Sequence, residues 1–437
     1  QHSDFKCQLH RQLCLGKIQS SISDCRHCEF NTIKLIIFMF LTQVRRHNDQ
    51  ELYAWAISLL TDLKDAGSTF TAHYIGYGQW TFGDENEYKD NIINLKNLIS
   101  KSGKTIIFCF DFTLHDNRKE IIQIMEENKD AELLWIGAEK DPFDHPRIDC
   151  VFWPADMLLQ NKQYKNFDDV EKEPSEQRHW ISTSLGIRPH RIYAASLLKG
   201  LGLDQTGDLR IKTVSRSGKK SPLVSEALAQ GNGNAPDGIP NLPLYVENKW
   251  KLSKEIKDIS EESNKGYEKL IQRKWWGSSL FLFSHYMALG FNQNNNAANF
   301  DKNLRHLYKD KTLEVVNETS HGYDPIFVTE KFMNAVIGLN LVIMNGPAGT
   351  VRLLEDLGWN SCRHVINHDY DDIKNPIVRC EEAIRLNSKL FSNSEYCINI
   401  WQDCLPILRT NSEWARDRLH NLILKTCEEQ VKKSYKQ

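Results

Sequence analysis

Three consecutive polar residues, Thr329, Glu330 and Lys331, carry the groups in this sequence best suited to bind an anionic ligand. Thr329 follows an Asp-Pro step and precedes an amphipathic run, which predicts that it caps a helix. A helix N-terminus presents unpaired N–H groups and partial positive charge, so phosphates bind there readily. Lys331 adds a full positive charge, whereas Glu330 would repel phosphate and is expected to face a hydroxyl donor. Together the two side chains predict a nucleotide or nucleotide-sugar site.

The elements around this triplet are predicted by apolar spacing and turn residues. Apolar residues at three- and four-residue steps continue the helix to Leu339, and Leu341 to Met344 is an apolar run of strand length. Gly346, Pro347 and Gly349 then predict a tight turn. Thr350 is expected to cap a second helix, which would end near Leu357.

The pattern N-x-x-x-x-G-Y, followed by F-V-T-E-K, a helix, a strand and G-P, resembles the fucosyltransferases of the α1,3 type and the wider set of GT-B glycosyltransferases with a T-E-K motif. The resemblance implies that Glu330 binds the nucleotide ribose and Lys331 the diphosphate. It extends the donor site to the other residues of the motif, Asn317, Tyr323, Phe327 and Thr329. The loop from His321 to Phe327 is longer than the usual spacing, and Phe327 stands where the family often has Tyr.

A second stretch, S-x-G-x-R-P-H-R, resembles a segment that precedes a helix in many glycosyltransferases of this architecture. In the fucosyltransferases an Arg at this helix start contacts the diphosphate, and Arg191 is the matching position. A guanidinium group suits the role because its planar fork can grip phosphate through two donors. Capping or exposure at the surface is the alternative role for Arg191.

The candidate catalytic base follows a buried strand. Leu134 to Ile136 is apolar, and ligands of open α/β sheets bind beyond the carboxyl ends of the strands. The resemblance implies that an acidic residue here is the general base, which makes Glu139 the candidate and Asp141 its rival. Asp111 is a third candidate because it also follows an apolar strand. The alternative is a solvated loop carboxylate beside Lys140.

Alternation of apolar strands with amphipathic helices continues through the first third of the chain. Continuous apolar strands predict a parallel sheet with helices on both faces. The predicted strands and helices of this part are Ile33–Leu41, Glu51–Leu63, Thr71–Ile75, Tyr88–Ile99, Thr105–Phe110, a helix to Met125, Glu132–Ile136 and Cys150–Phe152. G-x-G-x-x-G is absent after the first strand, so a dinucleotide-dependent oxidoreductase is not predicted.

A chain of 437 residues predicts two domains. We expect an extension over residues 1–30, an acceptor-binding Rossmann-like domain over 31–172 and a nucleotide-sugar-binding domain over 173–437. Later strands are expected at Trp180–Ser184, Ile211–Val214, Leu313–Val316 and Arg363–Ile366. The resemblance implies an α/β protein of the GT-B fold, with two Rossmann-like domains facing across a cleft and a C-terminal helix that crosses back.

Composition excludes some partners and leaves others open. The net charge of −2 gives no electrostatic reason to expect nucleic acid. Ile33 to Leu41 is too short to span a membrane, so no span is predicted.

Among eleven cysteines, Cys25 and Cys28 have the spacing of zinc ligands, and an unstructured extension is the alternative. No disulfide framework is evident, which favours a reducing compartment.

The predicted function is inverting, metal-independent transfer of a sugar, with GDP-fucose as the leading donor and a glycan hydroxyl as acceptor. No D-x-D motif stands in a plausible metal-binding setting, so no cofactor is expected, and Arg191, Lys331 and helix N–H groups must meet the charge of the leaving group. Asp369-Tyr370-Asp371 has metal-binding spacing but is judged incidental. The alternatives are a GT-B enzyme with another nucleotide sugar, an epimerase, and a non-catalytic nucleotide or glycan binder. The expected location is cytoplasmic or membrane-peripheral, or the Golgi lumen if an N-terminal anchor was removed.

Overall fold

The computed structural model places most of the chain from residue 50 onward. It describes residues 50–67, 70–75, 85–99, 103–109, 115–154, 169–184, 201–211, 305–318 and 325–436, with Arg191, Ala194, Leu197 and Leu198. The predictions for residues 1–30, for Ile33–Leu41, for Asp111 and for Tyr323 lie outside these residues. None of the helices within them is both long and apolar enough to cross a bilayer.

The first sheet has the predicted parallel arrangement. Four strands lie in sequence order, and their bounds are β1 Thr71–Ile75, β2 Lys104–Cys109, β3 Glu132–Gly137 and β4 Ile148–Phe152. The connecting helices described are α1 Gln50–Asp65, α2 Glu85–Ile99 and α3 His115–Glu127. Apart from their first residues, β2 and β3 are buried throughout, as continuous apolar strands covered on both faces require.

The second sheet is also parallel, and its strand order requires crossovers. Its strands are β5 Trp180–Ser184, β6 Gly207–Ile211, β7 Leu313–Asn317 and β8 Leu341–Asn345, in the spatial order β6-β5-β7-β8. Asn317 and Asn345 are register partners at the ends of β7 and β8. The helices described next to these strands are α4 Arg305–Tyr308 before β7, α5 Glu330–Ile337 between β7 and β8, and α6 Thr350–Asp356 after β8. The chain is therefore an α/β protein with two parallel four-stranded sheets.

The C-terminal part is helical and returns to the first sheet. Its helices are α7 Pro376–Leu386, α8 Ser388–Ser392, α9 Ser394–Glu413 and α10 Leu419–Lys436, with a π-helical turn between the last two. The Cys427 thiol on α10 donates to the Phe152 carbonyl of β4, and Lys104 of β2 donates to the Ser434 carbonyl. One buried apolar cluster runs from α1 and β2 to α5, β8 and α10. The last helix therefore packs against strands of the first sheet.

Two predicted strands differ from the structure. Arg363–Ile366 forms a turn, because Cys362 adopts a left-handed backbone (φ 57°) and its carbonyl accepts from both Val365 and Ile366 N–H groups. The strand expected at Ile211–Val214 begins earlier, at Gly207, and 212–214 lie outside the described residues. Gly207 fits there because a Cβ at this position would lie 1.9 Å from the Trp180 ring.

Candidate functional site

The N-terminus of α5 is capped as predicted. Thr329 has an extended backbone, and its hydroxyl oxygen accepts from the Lys331 N–H at 3.5 Å. Phe332, Ala335 and Val336 turn the opposite face of the helix into the core. Cap and apolar face together fix the direction in which the first-turn N–H groups point.

Glu330 and Lys331 lie together at this N-terminus. The Lys331 ammonium group lies 2.8 Å from the Glu330 carboxylate and donates to the Thr329 hydroxyl at 3.0 Å. Only 16% of the Glu330 side chain and 11% of the Lys331 side chain are exposed. Lys331 therefore curls back over the start of the helix, where its charge adds to the partial positive charge of the N–H groups. The ammonium group thus lies at the start of α5.

Glu318 is a site residue that sequence reasoning missed. It follows β7 directly and is fully buried, and its carboxylate accepts from both the Thr329 N–H (3.1 Å) and the Thr329 hydroxyl (2.6 Å). Burial raises the pKa of Glu318 above its ordinary value, and the charge of Lys331 opposes that rise. A carboxylate directly after a buried strand was the available signal, since such residues lie at the ligand-binding edge of a parallel sheet.

Arg191 joins the same cluster from another helix. It is 3% exposed, and its Nη2 donates to the Glu318 carbonyl at 3.2 Å. Through Glu318 the guanidinium is connected to Thr329, and through Thr329 to Lys331. Two cations predicted from segments about 140 residues apart in the sequence thus belong to one hydrogen-bonded network.

Asn317 positions the strand ends. Its amide nitrogen donates to the Ser182 hydroxyl at 2.8 Å, and its amide oxygen accepts from Asn345 at 2.6 Å. These bonds fasten the carboxyl ends of β5, β7 and β8 to one another. The Asn317 side chain is buried, and these two bonds hold it between its neighbouring strands.

The turn after β8 is held by residues that sequence analysis did not assign. Arg379 of α7 is buried, and its Nε donates to the Gly346 carbonyl at 2.9 Å. Asp371 accepts from the Val351 and Arg352 N–H groups, both at 3.1 Å, and thereby caps α6. The Asp-Tyr-Asp stretch, judged incidental as a metal motif, has this structural role.

Thr350 is not the cap of α6, contrary to the prediction. Gly349 occupies that position with a left-handed backbone (φ 84°), and the Thr350 hydroxyl donates to the Pro347 carbonyl instead. A glycine is favoured at Gly349 because side chains other than Asn and Asp rarely adopt such a φ.

Glu139 is brought close to this site by backbone pairing. The Lys140 N–H donates to the Ile326 carbonyl at 3.0 Å, which joins the loop after β3 to the segment that enters α5. Glu139 is 3% exposed, whereas its rival Asp141 is exposed and has a left-handed backbone (φ 48°). Phe327, in the joined segment, is also buried, so its ring is committed to packing.

A cavity of about 360 Å³ lies beside the Glu139 loop. Its walls come from that loop, β4, α6 and α10, and include Lys140, Asp141, Phe152, Leu357, Leu422 and Gln430. Its lining combines apolar and polar side chains, as pockets for small ligands often do.

Among the residues described, no group of three His, Cys, Asp or Glu side chains has an arrangement that could hold a metal ion.

Comparisons with protein-family models, with curated proteins and with solved structures found no match to this chain.

Proposed function

We propose that this chain is a glycosyltransferase of GT-B architecture that transfers a sugar from a nucleotide sugar, with GDP-fucose as the leading donor, to a glycan hydroxyl. The observation that carries the proposal is the network at the start of α5. There Lys331 lies over the helix N-terminus and Arg191 is linked to it through Glu318 and Thr329. Two parallel sheets, with a C-terminal helix returning from the second to the first, support the architecture.

Donor binding exchanges one partner of Lys331 for another. In the free protein the Lys331 ammonium group pairs with Glu330 at 2.8 Å. The diphosphate then binds the Lys331 ammonium group, the Arg191 guanidinium group and the first-turn N–H groups of α5. Cationic side chains and helix N-termini both form strong hydrogen bonds to phosphate oxygens. The Glu330 carboxylate then accepts from a ribose hydroxyl. The ion pair thus keeps both side chains near their bound positions before the donor arrives.

Sugar transfer then requires a base on the acceptor side. Glu139 takes the proton of the acceptor hydroxyl as that oxygen attacks the anomeric carbon from the face opposite the diphosphate, so the configuration inverts. Arg191 and Lys331 stabilise the negative charge that develops on the departing diphosphate. The pairing of Lys140 with Ile326 supports this assignment, since it holds the Glu139 loop against the segment that enters α5.

A different nucleotide sugar is the second candidate donor. Phe327 stands where the family often has an aromatic residue for base recognition, yet its side chain is buried. If the Phe327 ring stays buried, other residues must recognise the nucleobase of the donor.

Thermal melting with GDP, UDP, CMP, ADP and GDP-fucose tests the class of ligand. A ligand that binds only the folded state raises the melting temperature by mass action. We expect a shift with GDP and GDP-fucose, and loss of that shift in Lys331→Ala and Arg191→Ala. A shift with UDP alone would keep the enzyme class and replace the donor. No shift with any of the five would contradict the proposal.

Glu139→Gln separates binding from turnover. The amide keeps the shape of the side chain but cannot take a proton, so we expect an unchanged GDP-induced melting shift and a loss of transfer of about 10²–10⁴-fold. Transfer is measured as donor consumption against a panel of glycan acceptors. Asp141→Asn is the matched control and should keep near-normal turnover. Equal losses in the two variants, or normal turnover by Glu139→Gln, would remove the assignment.

A further inference from the structure

Two cysteines and a histidine meet away from the nucleotide site. Cys362 lies in the turn after α6, and Cys404 lies on α9; both side chains are buried. The two thiols lie close enough to affect each other's pKa, and the Cys404 sulfur lies 3.6 Å from Nε2 of His364. His364 itself is exposed, so the cluster reaches the surface through the imidazole ring.

We propose that Cys362 and Cys404 form a reversible disulfide when the protein meets a peroxide, with His364 as the proton acceptor for Cys404. The two thiols are close enough to interact, and two hydrogen bonds between Asn360 and Asn411 hold the Cys362 turn against α9, so bond formation requires no large movement of the backbone. Cys362 has a left-handed backbone, and its thiol lies 3.9 Å from the carbonyl of Asn360, the residue that is bonded to α9.

The thiols need a base because burial opposes their ionisation. Burial raises the pKa of Cys362 to about 12 and also raises that of Cys404, while the interaction with Cys362 partly lowers the latter. Only the thiolate is nucleophilic. An imidazole beside Cys404 removes the proton locally, which makes Cys404 the sulfur that reacts first.

The reaction balances in two steps. The Cys404 thiolate attacks one oxygen of hydrogen peroxide; an S–O bond forms, the O–O bond breaks, and the released hydroxide takes the proton held by His364. The Cys362 sulfur then attacks the sulfenic sulfur; the S–S bond forms, the S–O bond breaks, and the leaving hydroxide takes the Cys362 proton. Two thiols lose two electrons to one peroxide, and two waters result.

A disulfide here would tie the segment after α6 to α9. That segment is also bonded to the donor-site strand, because His368 contacts the Tyr370 hydroxyl and this hydroxyl accepts from the Met344 N–H of β8. Closing a loop of this size restricts the unfolded chain, so we expect the oxidised protein to melt about 2–5 °C higher than the reduced protein.

The test uses the folded full chain. It is treated with hydrogen peroxide, alkylated, digested without reductant and analysed by mass spectrometry. We expect a linked pair of peptides containing Cys362 and Cys404, which a dithiol separates again. Cys404→Ala should lose both the linkage and the rise in melting temperature. Cys397→Ser, whose thiol lies against the Thr312 hydroxyl rather than another thiol, should keep both. Full alkylation of Cys362 and Cys404 after peroxide would overturn the proposal.

The histidine is tested separately. Because His364 is exposed, His364→Gln should fold normally. We expect it to form the same disulfide about tenfold more slowly at neutral pH, since it lacks the proton acceptor. An unchanged rate would remove His364 from the proposal.

Discussion

Two buried glutamates flank the central strand β7, and their surroundings differ. Glu314 lies near its start and Glu318 directly after its end, and burial raises the pKa of both carboxyl groups. Either would be flagged as a functional candidate on its pKa alone. The two residues differ in the hydrogen-bond partners of their carboxylates.

Glu314 belongs to a network that is enclosed within the protein, in which one of its carboxylate oxygens, Oε2, has no hydrogen-bond partner among the described residues. Its carboxylate accepts from the Tyr308 and Thr183 hydroxyls, both at 3.2 Å, and burial raises its pKa to about 8. Lys172 lies nearby and donates to the Tyr308 and Lys311 carbonyls and to Asn340. These contacts bind 169–178 to the base of the second sheet.

Glu318 belongs to an open network. Its carboxylate holds Thr329, and the Thr329 hydroxyl also accepts from the half-buried Lys331. The chain of hydrogen bonds thus ends in a charged pair near the surface rather than in backbone carbonyls. The two carboxyl groups are buried to a similar extent. Glu314 stabilises the fold near the start of β7, whereas on our proposal Glu318 supports ligand binding after its end.

Lys172→Met should have the largest effect on stability. The variant leaves the Tyr308 and Lys311 carbonyls and the Asn340 amide oxygen without their buried donor, which costs about 3–5 kcal/mol of unfolding free energy. Urea unfolding measures the loss. Lys309→Met, which removes an exposed pair with Glu173, should change the stability little, because solvent screens such a pair. Equal losses in the two variants would contradict the distinction between a closed buried network and a surface pair.

Glu314→Gln should change how stability depends on pH. A carboxyl whose folded pKa is about 8, against 4.5 unfolded, binds a proton more tightly in the folded state. Its favourable contribution is complete below pH 4.5 and is lost as the pH rises toward 8, by about 2–4 kcal/mol. The amide does not titrate, so the difference in stability between the two proteins should shift in favour of Glu314→Gln across this range. Parallel pH profiles would contradict this.

Glu318→Gln should weaken donor binding about tenfold, because the amide keeps one acceptor oxygen for two donors of Thr329 and the N-cap loosens. GDP affinity measures the effect, and Glu314→Gln is the matched control, with unchanged affinity expected. A larger affinity loss in Glu314→Gln than in Glu318→Gln would reverse our assignment of the two networks.

Apolar periodicity was sufficient to predict most of the described elements. β1 matches its prediction, Thr71–Ile75, and Thr329 caps α5, because local sequence determines both features. Arg191 and Lys331 could be named as candidates for the same reason, because each stands in a short sequence pattern beside a predicted helix start. The turn at Arg363–Ile366 was missed because its residues are acceptable in a strand and the deciding feature is the backbone of Cys362.

Contacts between distant segments could not be predicted. The position of Glu318 after a buried strand is visible in the sequence, but its bond to Thr329 is not. The bond from Arg379 of α7 to the Gly346 carbonyl likewise depends on the assembled fold. The pairing of Lys140 with Ile326, which relates Glu139 to α5, joins the two halves of the chain. The hydrophobic pattern predicts the helices and strands, whereas contacts between residues far apart in the sequence depend on how those helices and strands assemble.

The most direct test of the proposed nucleotide site is calorimetric titration of GDP into the wild-type protein and Lys331→Ala. An ammonium group bonded to a phosphate contributes about 1.5–3 kcal/mol, so we predict an affinity loss of about 10–100-fold. Lys374→Ala removes an exposed lysine elsewhere and should leave the affinity unchanged. Equal affinities for GDP in the wild-type protein and Lys331→Ala, or no binding by either, would contradict a diphosphate site at the start of α5.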